Sequence, residues 1–379
     1  MHVVVSKKEL LRVLSRCQGV ADKKSTMPVL GNVLLKADSS GLQLAATDLV
    51  LAVSGQLDAE CEKPGSIAVG AKDLFERVRM MPEGQIALEA DDNSAMVIRA
   101  LDSRRRYTIF GVPGDEFPSL PQPEDSDDWI DLEASQMSRL IAGTHFSIST
   151  DETRLHLSSA LFELEDNRLR MVTTDGHRLS KMEIRAPEVS GSGSMLIPLK
   201  GILELRRLCD EAMSDKSEDD TPRIRLLKSG PNVYCELAGF RFSVKLVDAQ
   251  FPPYQQVIPS QSESAVRAPR LALSEALKAV SLAASDRTGG VKITLGAGAL
   301  RVESESPEAG EGFDEVAVDY DGEGLTMGLN AKYFLDVLAA ISDDEVILGM
   351  SGELDPAVVR PGGEASDRDY LAVVMPMRI

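Results

Sequence analysis

Residues Arg168–Ile184 read RLRMVTTDGHRLSKMEI. Leu169 and Met171 alternate with polar neighbours, Asp175 and Gly176 stand as a turn pair, and a second alternating run follows. Period-two alternation on both sides of Asp-Gly is the pattern of a β-hairpin. The same ladder stands earlier as GLQLAATDLVLAV, Gly41–Val53, and a third copy is carried by ALRVESES, Ala299–Ser306. Leu42, Leu169 and Leu300 are the equivalent positions, 127 and 131 residues apart.

A second ladder keeps the same step. IAVGAKDLFERVRMM from Ile67, LIPLKGILELRRL from Leu196 and MGLNAKYFLDVLAAI from Met327 each read as a short strand running into an amphipathic helix. The lysines at the junctions, Lys72, Lys200 and Lys332, lie 128 and 132 apart. Two ladders with one period mean three copies of one module. Each module reads as strands around two helices, an α+β layout of antiparallel sheet with the helices on one face.

The module boundaries follow from composition. FPSLPQPEDSDDW, Phe117–Trp129, crowds Pro with Asp and Glu and keeps no apolar period, so it reads as a linker. PSQSES, Pro259–Ser264, is the second linker. The modules are therefore placed at residues 1–123, 129–259 and 262–379. SDKSEDDTP, Ser214–Pro222, reads as an acidic surface loop, and Pro307–Glu315 and Pro361–Asp369 as acidic or glycine-rich excursions from module three. The tips GSGS, Gly191–Ser194, and GAGA, Gly296–Ala299, read as ordinary hairpin turns.

At 379 residues and 43% hydrophobic content the chain can bury real cores, and 4% aromatic content makes them aliphatic. No apolar run approaches the roughly 20 residues that span a membrane. The N-terminus MHVVVSKKELL places its bases after its apolar run, unlike a signal peptide, so a cytoplasmic protein is expected. Cys17, Cys61, Cys209 and Cys235 show no paired spacing, which argues for buried thiols over a disulfide framework or a zinc site.

Net charge is −19, which by itself disfavours nucleic acid. The six predicted helices nevertheless carry +7 between them, leaving −26 on the rest. Helix-forming preference explains many charges but not their sign, since Glu suits a helix as well as Lys. In the first helix Lys8, Arg12 and Arg16 recur every four residues along one face, while Leu10, Val13, Leu14 and Cys17 form the other. Ser6 and Glu9 read as a capping box at its start.

Enzyme signatures are thin. His2, His145, His156 and His177 fall in no metal-ligand spacing, and no nucleophile elbow or phosphate loop is present. Asp175 and His177 are the one acid–base pair a hydrolase could use, and a turn aspartate beside a surface histidine is the simpler reading. No catalytic residue, metal or cofactor is therefore expected. The terminal YLAVVMPMRI, Tyr370–Ile379, should be a strand that stops near Met375, because Pro376 cannot donate to a ladder. It would leave Met377–Ile379 at an edge suited to peptide capture.

Three stretches, TDGHRL at Thr174–Leu179, FPPYQQVIP at Phe251–Pro259 and VVMPMRI at Val373–Ile379, resemble the bacterial DNA polymerase III β-subunit family of replicative sliding clamps. The resemblance spans all three modules. It implies a head-to-tail homodimer forming a ring, with helices lining the hole, sheets outside, and sequence-independent attraction to encircled duplex DNA. By position, Lys24, Lys72, Arg79 and Lys200 would face DNA, and Tyr107 and Ile109 would meet Leu282 and Ala283 across the subunit contact.

A groove for QLxLF-like peptides is implied at Leu157, Thr174, Gly176, His177, Arg178 and Leu179. Pro252, Val257, Val373, Val374, Met375, Pro376, Met377 and Arg378 would join it. The implied partners are the replicative polymerase catalytic subunit, the clamp loader and repair proteins. Gln255 and Gln256 stand where relatives often carry bases, and Thr288 and Ala357 are smaller or less polar than some counterparts. The loop near Asp151–His156 lacks aromatics that some relatives carry at a DNA-contacting position, where Asp151 would repel phosphate. The expected function is thus a non-enzymatic processivity clamp, and the alternative is a three-module protein-binding scaffold without DNA encirclement.

Overall fold

The computed structural model describes residues 1–91, 93–126, 128–165, 167–187, 191–214, 220–260, 262–285, 289–363 and 368–378. The helices are α1 (Lys7–Val20), α2 (Ala71–Arg79), α3 (Ala134–Thr144), α4 (Leu199–Ser214), α5 (Arg270–Ser281) and α6 (Ala331–Ala340). Two helices fall in each sequence module, and Lys72, Lys200 and Lys332 are each the second residue of theirs, as the ladder predicts. None of the described helices is long and apolar enough to cross a membrane.

The chain forms two compact units. The first holds residues 1–131 and 214–246, the second residues 132–213 and 247–379. In the first unit Leu51–Leu57 pairs with Gly41–Thr47 on one side and with Phe240–Lys245 on the other. The strand Phe240–Lys245 in turn carries Asn232–Leu237 and Arg223–Ser229. Module two thereby lends three strands to the sheet of module one. At the other end of that sheet His2–Ser6 lies between Gln85–Ala90 and Ala59–Lys63.

The second unit has an eight-stranded antiparallel sheet. Its order is Gly193–Pro198, Ser159–Glu165, Arg168–Thr174, Arg178–Arg185, Arg368–Val374, Ala357–Pro361, Glu345–Met350, Ser264–Pro269. A four-stranded sheet runs Gly310–Ala317, Ala299–Ser306, Gly290–Gly296, Leu325–Asn330. The predicted hairpin forms with Leu169 opposite Ile184 and Thr174 opposite Leu179. Its alternating residues Leu169, Met171, Met182 and Ile184 are all buried. Burial of each such side chain contributes about 1.5–3 kcal/mol.

Several expectations change. Ser6 makes no side-chain cap bond, because it ends the strand His2–Ser6 opposite Gln85, and Glu9 turns to Arg12 at 3.0 Å instead. The capping box occurs at Glu133 and Gln136 before α3, and Asn330 caps α6 through the amides of Lys332 and Tyr333. Gly310–Ala317 is not an excursion but an edge strand, paired with Ala299–Ser306 along its whole length. Its period was hidden because nearly all its side chains are open or half-open.

The C-terminal strand lies inside its sheet. Val373 pairs with Leu179 on one side and Val358 on the other, so Arg368–Val374 stitches modules two and three into one sheet. It stops at Val374, as Pro376 requires, and the Met377 amide then donates to Gly328 O at 2.8 Å. Cys17, Cys209 and Cys235 are buried free thiols, whereas Cys61 is partly exposed. Burial pushes the Cys17 thiol up to about 12. Within the two acidic segments, residues 215–219 and 364–367 lie outside the described residues, as do Thr288 and Ile379.

Candidate functional site

The turn of the decisive hairpin is built from its own side chains. Thr174 Oγ1 donates to Arg178 O at 2.6 Å and accepts from the Gly176 amide at 3.1 Å. Asp175 Oδ1 accepts from the amides of His177 and Arg178 at 2.9 and 3.0 Å. Gly176 holds φ +94°, the left-handed region that glycine enters without a Cβ penalty. Asp175 is thus committed to backbone and to Arg178 Nε at 3.0 Å. The acid–base pairing of Asp175 with His177 is not formed; the His177 ring stacks on Tyr333 of α6, centroids 6.4 Å apart.

Arg178 is 8% exposed. Besides Asp175 it donates through Nη1 to Asp336 Oδ2 at 2.6 Å and through Nη2 to the Phe146 carbonyl. Its guanidinium carbon lies 4.4 Å from the Tyr333 ring centroid and 5.5 Å from that of Phe146. Close by, His145 Nδ1 lies 2.9 Å from Ile141 O and Nε2 3.1 Å from Arg206 Nη1. Burial, then the Arg206 charge, lowers its pKa below the usual histidine value.

The C-terminal residues meet this turn directly. Arg178 pairs with Val374, and the Met375 amide donates to His177 O at 2.9 Å. Below them Leu161, Val172, Leu179, Leu196, Tyr254 and Val373 form one apolar cluster, with Val247, Phe251 and Ile258 packed against it. The Phe251–Pro259 stretch is fixed there by a polar anchor. Tyr254 Oη donates to Glu163 at 2.7 Å and accepts from Arg170 at 3.2 Å, and Arg170 also pairs with Glu183 at 2.7 Å. Burial first, then the Glu163 contact, pushes the Tyr254 phenol up to about 12.

The residues expected at a peptide groove divide into two sets by burial. Leu157, Arg178, Leu179, Val373 and Val374 are buried. Gly176, His177, Val257 and Arg378 are exposed, and Thr174, Pro252, Met375, Pro376 and Met377 are half-buried. The half-buried Met375 and Met377 place adaptable apolar side chains beside the exposed His177 and Arg378. Tyr333, Asp336 and Phe146 belong to this constellation and were missed. Tyr333 and Asp336 sit i, i+3 on one helix, a spacing that puts them on one face.

The basic residues are less uniform than expected. Lys24, Lys72, Arg79 and Lys200 are all exposed; Lys72 Nζ lies 3.7 Å from Glu76, and Arg79 lies over Phe75 at 5.8 Å. On α1, Lys8 and Arg12 are open but Arg16 is buried, and both arginines lie against the Phe240 ring at 4.9 and 5.5 Å. Phe240 reaches α1 because Gly55 beside it has no side chain; a Cβ there would stand 2.9 Å from Val13. The helix α4 runs on to Ser214, taking in Asp210 and Glu211, and becomes neutral. The positive bias over the helices as observed is +6, half of it on α1.

At the expected subunit contact Leu282 is 82% exposed and Tyr107 half-buried, whereas Ile109 and Ala283 face inward at 5% and 6%. The open apolar groups beside them are Phe110 and Phe313. Among the described residues no group of three or more His, Cys, Asp or Glu side chains could hold a metal ion.

A three-domain clamp fold of antiparallel sheets and helices defines a class of protein. Residues 1–121, 131–253 and 255–378 match, in order, the N-terminal, central and C-terminal domains of the DNA polymerase III beta subunit. The chain is 32% identical to the beta sliding clamp of Pseudomonas putida and 30% identical to that of Escherichia coli K12, each covering all of both chains. The crystal structure of the DNA polymerase III subunit beta from Pseudomonas aeruginosa superposes with a TM-score of 0.92 at 30% identity. The sliding clamp of Bartonella birtlesii bound to griselimycin does so at 0.91 and 33%, both structures covering each chain completely. The chain belongs to the DNA polymerase III beta-subunit family of sliding clamps. Its function is that of a processivity factor in DNA replication.

Proposed function

We propose that two copies of the chain close head to tail into a ring around duplex DNA, helices inward and sheets outward. Each chain contributes modules at 1–123, 129–259 and 262–379. The ring works in the cytoplasm without catalysis of its own. The observation that carries this reading is a pair of unmatched strand edges.

Arg106–Phe110 is bonded only to Ala95–Arg99 among the described residues, and Gly310–Ala317 only to Ala299–Ser306. Phe110 is 81% and Phe313 63% exposed. Arg104, Arg105 and Arg106 flank the first edge; Glu308, Glu311 and Glu315 flank the second. Two different edges of opposite charge suit a heterologous contact, which becomes a ring if its rotation closes.

Lys24, Lys72, Arg79 and Lys200 then supply attraction to phosphate without reading sequence. The apolar surface around His177 and Met375 takes QLxLF-like segments of the replicative polymerase catalytic subunit, the clamp loader and repair proteins. A bound segment inserts apolar side chains between the turn and the Phe251–Pro259 stretch.

The test is retention on nicked circular DNA after loading by an active clamp loader with ATP. Persistence on the closed circle and loss on linearisation are expected for a ring. Equal retention on both would mean ordinary contact binding, and the encirclement reading would fail.

A further inference from the structure

We infer that Asp336 is a positioning residue for the peptide groove, and that Arg178 is its internal strut rather than a contact for the bound segment. The inference rests on the groove reading above. Arginine carries five N–H donors on three nitrogens. In Arg178 all three nitrogens are engaged by protein: Nε by Asp175, Nη1 by Asp336 and Nη2 by the Phe146 carbonyl. Two aromatic rings lie against the guanidinium, and the residue is 8% exposed. Turning it toward a ligand would break three bonds and leave the Asp336 carboxylate without its partner.

The pair links elements that arrive from different parts of the chain. Arg178 starts a strand of module two, and Asp336 sits in α6 of module three. From one face of α6, Tyr333 stacks on His177 and Asp336 holds Arg178. His177 in turn accepts the Met375 amide through its carbonyl. Asp336 therefore sets where the exposed ring of His177 and the side chain of Met375 stand relative to α6. The turn itself keeps the bonds of Thr174 and Asp175 when Asp336 is changed. Its shape survives, and its placement loosens.

Titration calorimetry of the full chain with a synthetic peptide containing QLxLF tests this, using wild type, Asp336→Asn, Asp336→Glu, Arg178→Lys and the double variant Arg178→Lys/Asp336→Asn. Substitutions that act through an intervening residue shift affinity by about 3- to 30-fold, so a loss near the middle of that range is expected for Asp336→Asn. Asp336→Glu should restore most of it, which a mere packing defect would not allow. Arg178→Lys keeps the charge but loses the fork. It should resemble Asp336→Asn, with the double variant no worse than the weaker single one. Unchanged affinity in Asp336→Asn together with lost affinity in Arg178→Lys would overturn the inference, since Arg178 would then touch the peptide itself. Absence of binding by wild type would overturn the groove reading, and the positioning role with it.

Discussion

Leu49 occupies the place in its turn that Gly176 occupies 127 positions later, and it adopts the same left-handed backbone, φ +74° against +94°. The surrounding bonds also repeat. Thr47 Oγ1 donates to Leu51 O at 2.7 Å, and Asp48 Oδ1 accepts from Val50 and Leu51 at 2.9 and 2.6 Å. A left-handed conformation costs an ordinary L-residue about 1–2 kcal/mol. Leu49→Gly should relieve that cost, less the greater unfolded-state freedom of glycine, and raise the midpoint of thermal unfolding measured by circular dichroism. Gly176→Ala should do the opposite, destabilising by about 1 kcal/mol through backbone strain alone. Its Cβ would meet nothing nearer than Arg154 Nη1 at 3.9 Å.

The edge strands give a prediction on assembly. Phe110 and Phe313 are open, so charge placed there leaves the protomer core intact. Phe313→Asp should shift the chain from dimer to monomer in sedimentation equilibrium with an unchanged circular dichroism spectrum. A dimer that persists in Phe110→Asp and Phe313→Asp alike would remove these edges from the contact.

For DNA, Lys24→Ala, Lys72→Ala and Lys200→Ala combined should weaken association and flatten its salt dependence. Each lysine that neutralises a phosphate accounts for about 0.9 of the log–log slope, and its removal should lower the slope by that amount. An unchanged slope would mean that the three lysines do not touch the duplex.

At the proposed groove, Met375→Ala and Met377→Ala should each cost peptide affinity on the order of 2 kcal/mol, the loss at an energetically dominant anchor. Calorimetry with the QLxLF peptide reads this directly. The Met377 amide bond to Gly328 O is main-chain, so neither substitution unseats the tail.

Alkaline pH supplies a fifth test. The phenol of Tyr254 is raised to about 12 by burial and by Glu163, from about 10 in an unfolded chain. A raised pKa means the folded state holds its proton more tightly. The resulting stability is fully present below pH 10 and is lost as pH rises through 12. Tyr254→Phe should remove that part of the pH dependence in denaturant titrations across this window.

Repetition made much of this molecule legible in its sequence. The two ladders located helices beside Lys72, Lys200 and Lys332, and the Asp175-Gly176 pair located a hairpin. What stayed hidden was mostly non-local. The strand Gly310–Ala317 has Gly and acids where a half-buried strand would alternate, since an edge strand buries little. Capping at Ser6 failed because a neighbouring strand claims that residue. The role of Asp336 depends on a partner 158 residues away, a relationship that no spacing reveals. Arg16 reads as a solvated base until Phe240 arrives from another module.

That arrival, Phe240–Lys245 laid beside Leu51–Leu57, has a kinetic meaning. Module one lacks that sheet neighbour until most of module two has emerged. Contacts of such sequence separation are entropically slow to close. A nascent chain halted inside module two would present Leu51–Leu57 as a bare edge, open to pairing with another chain. Swapping single modules between relatives should therefore fail at the stage of folding, even where each transplanted surface is compatible.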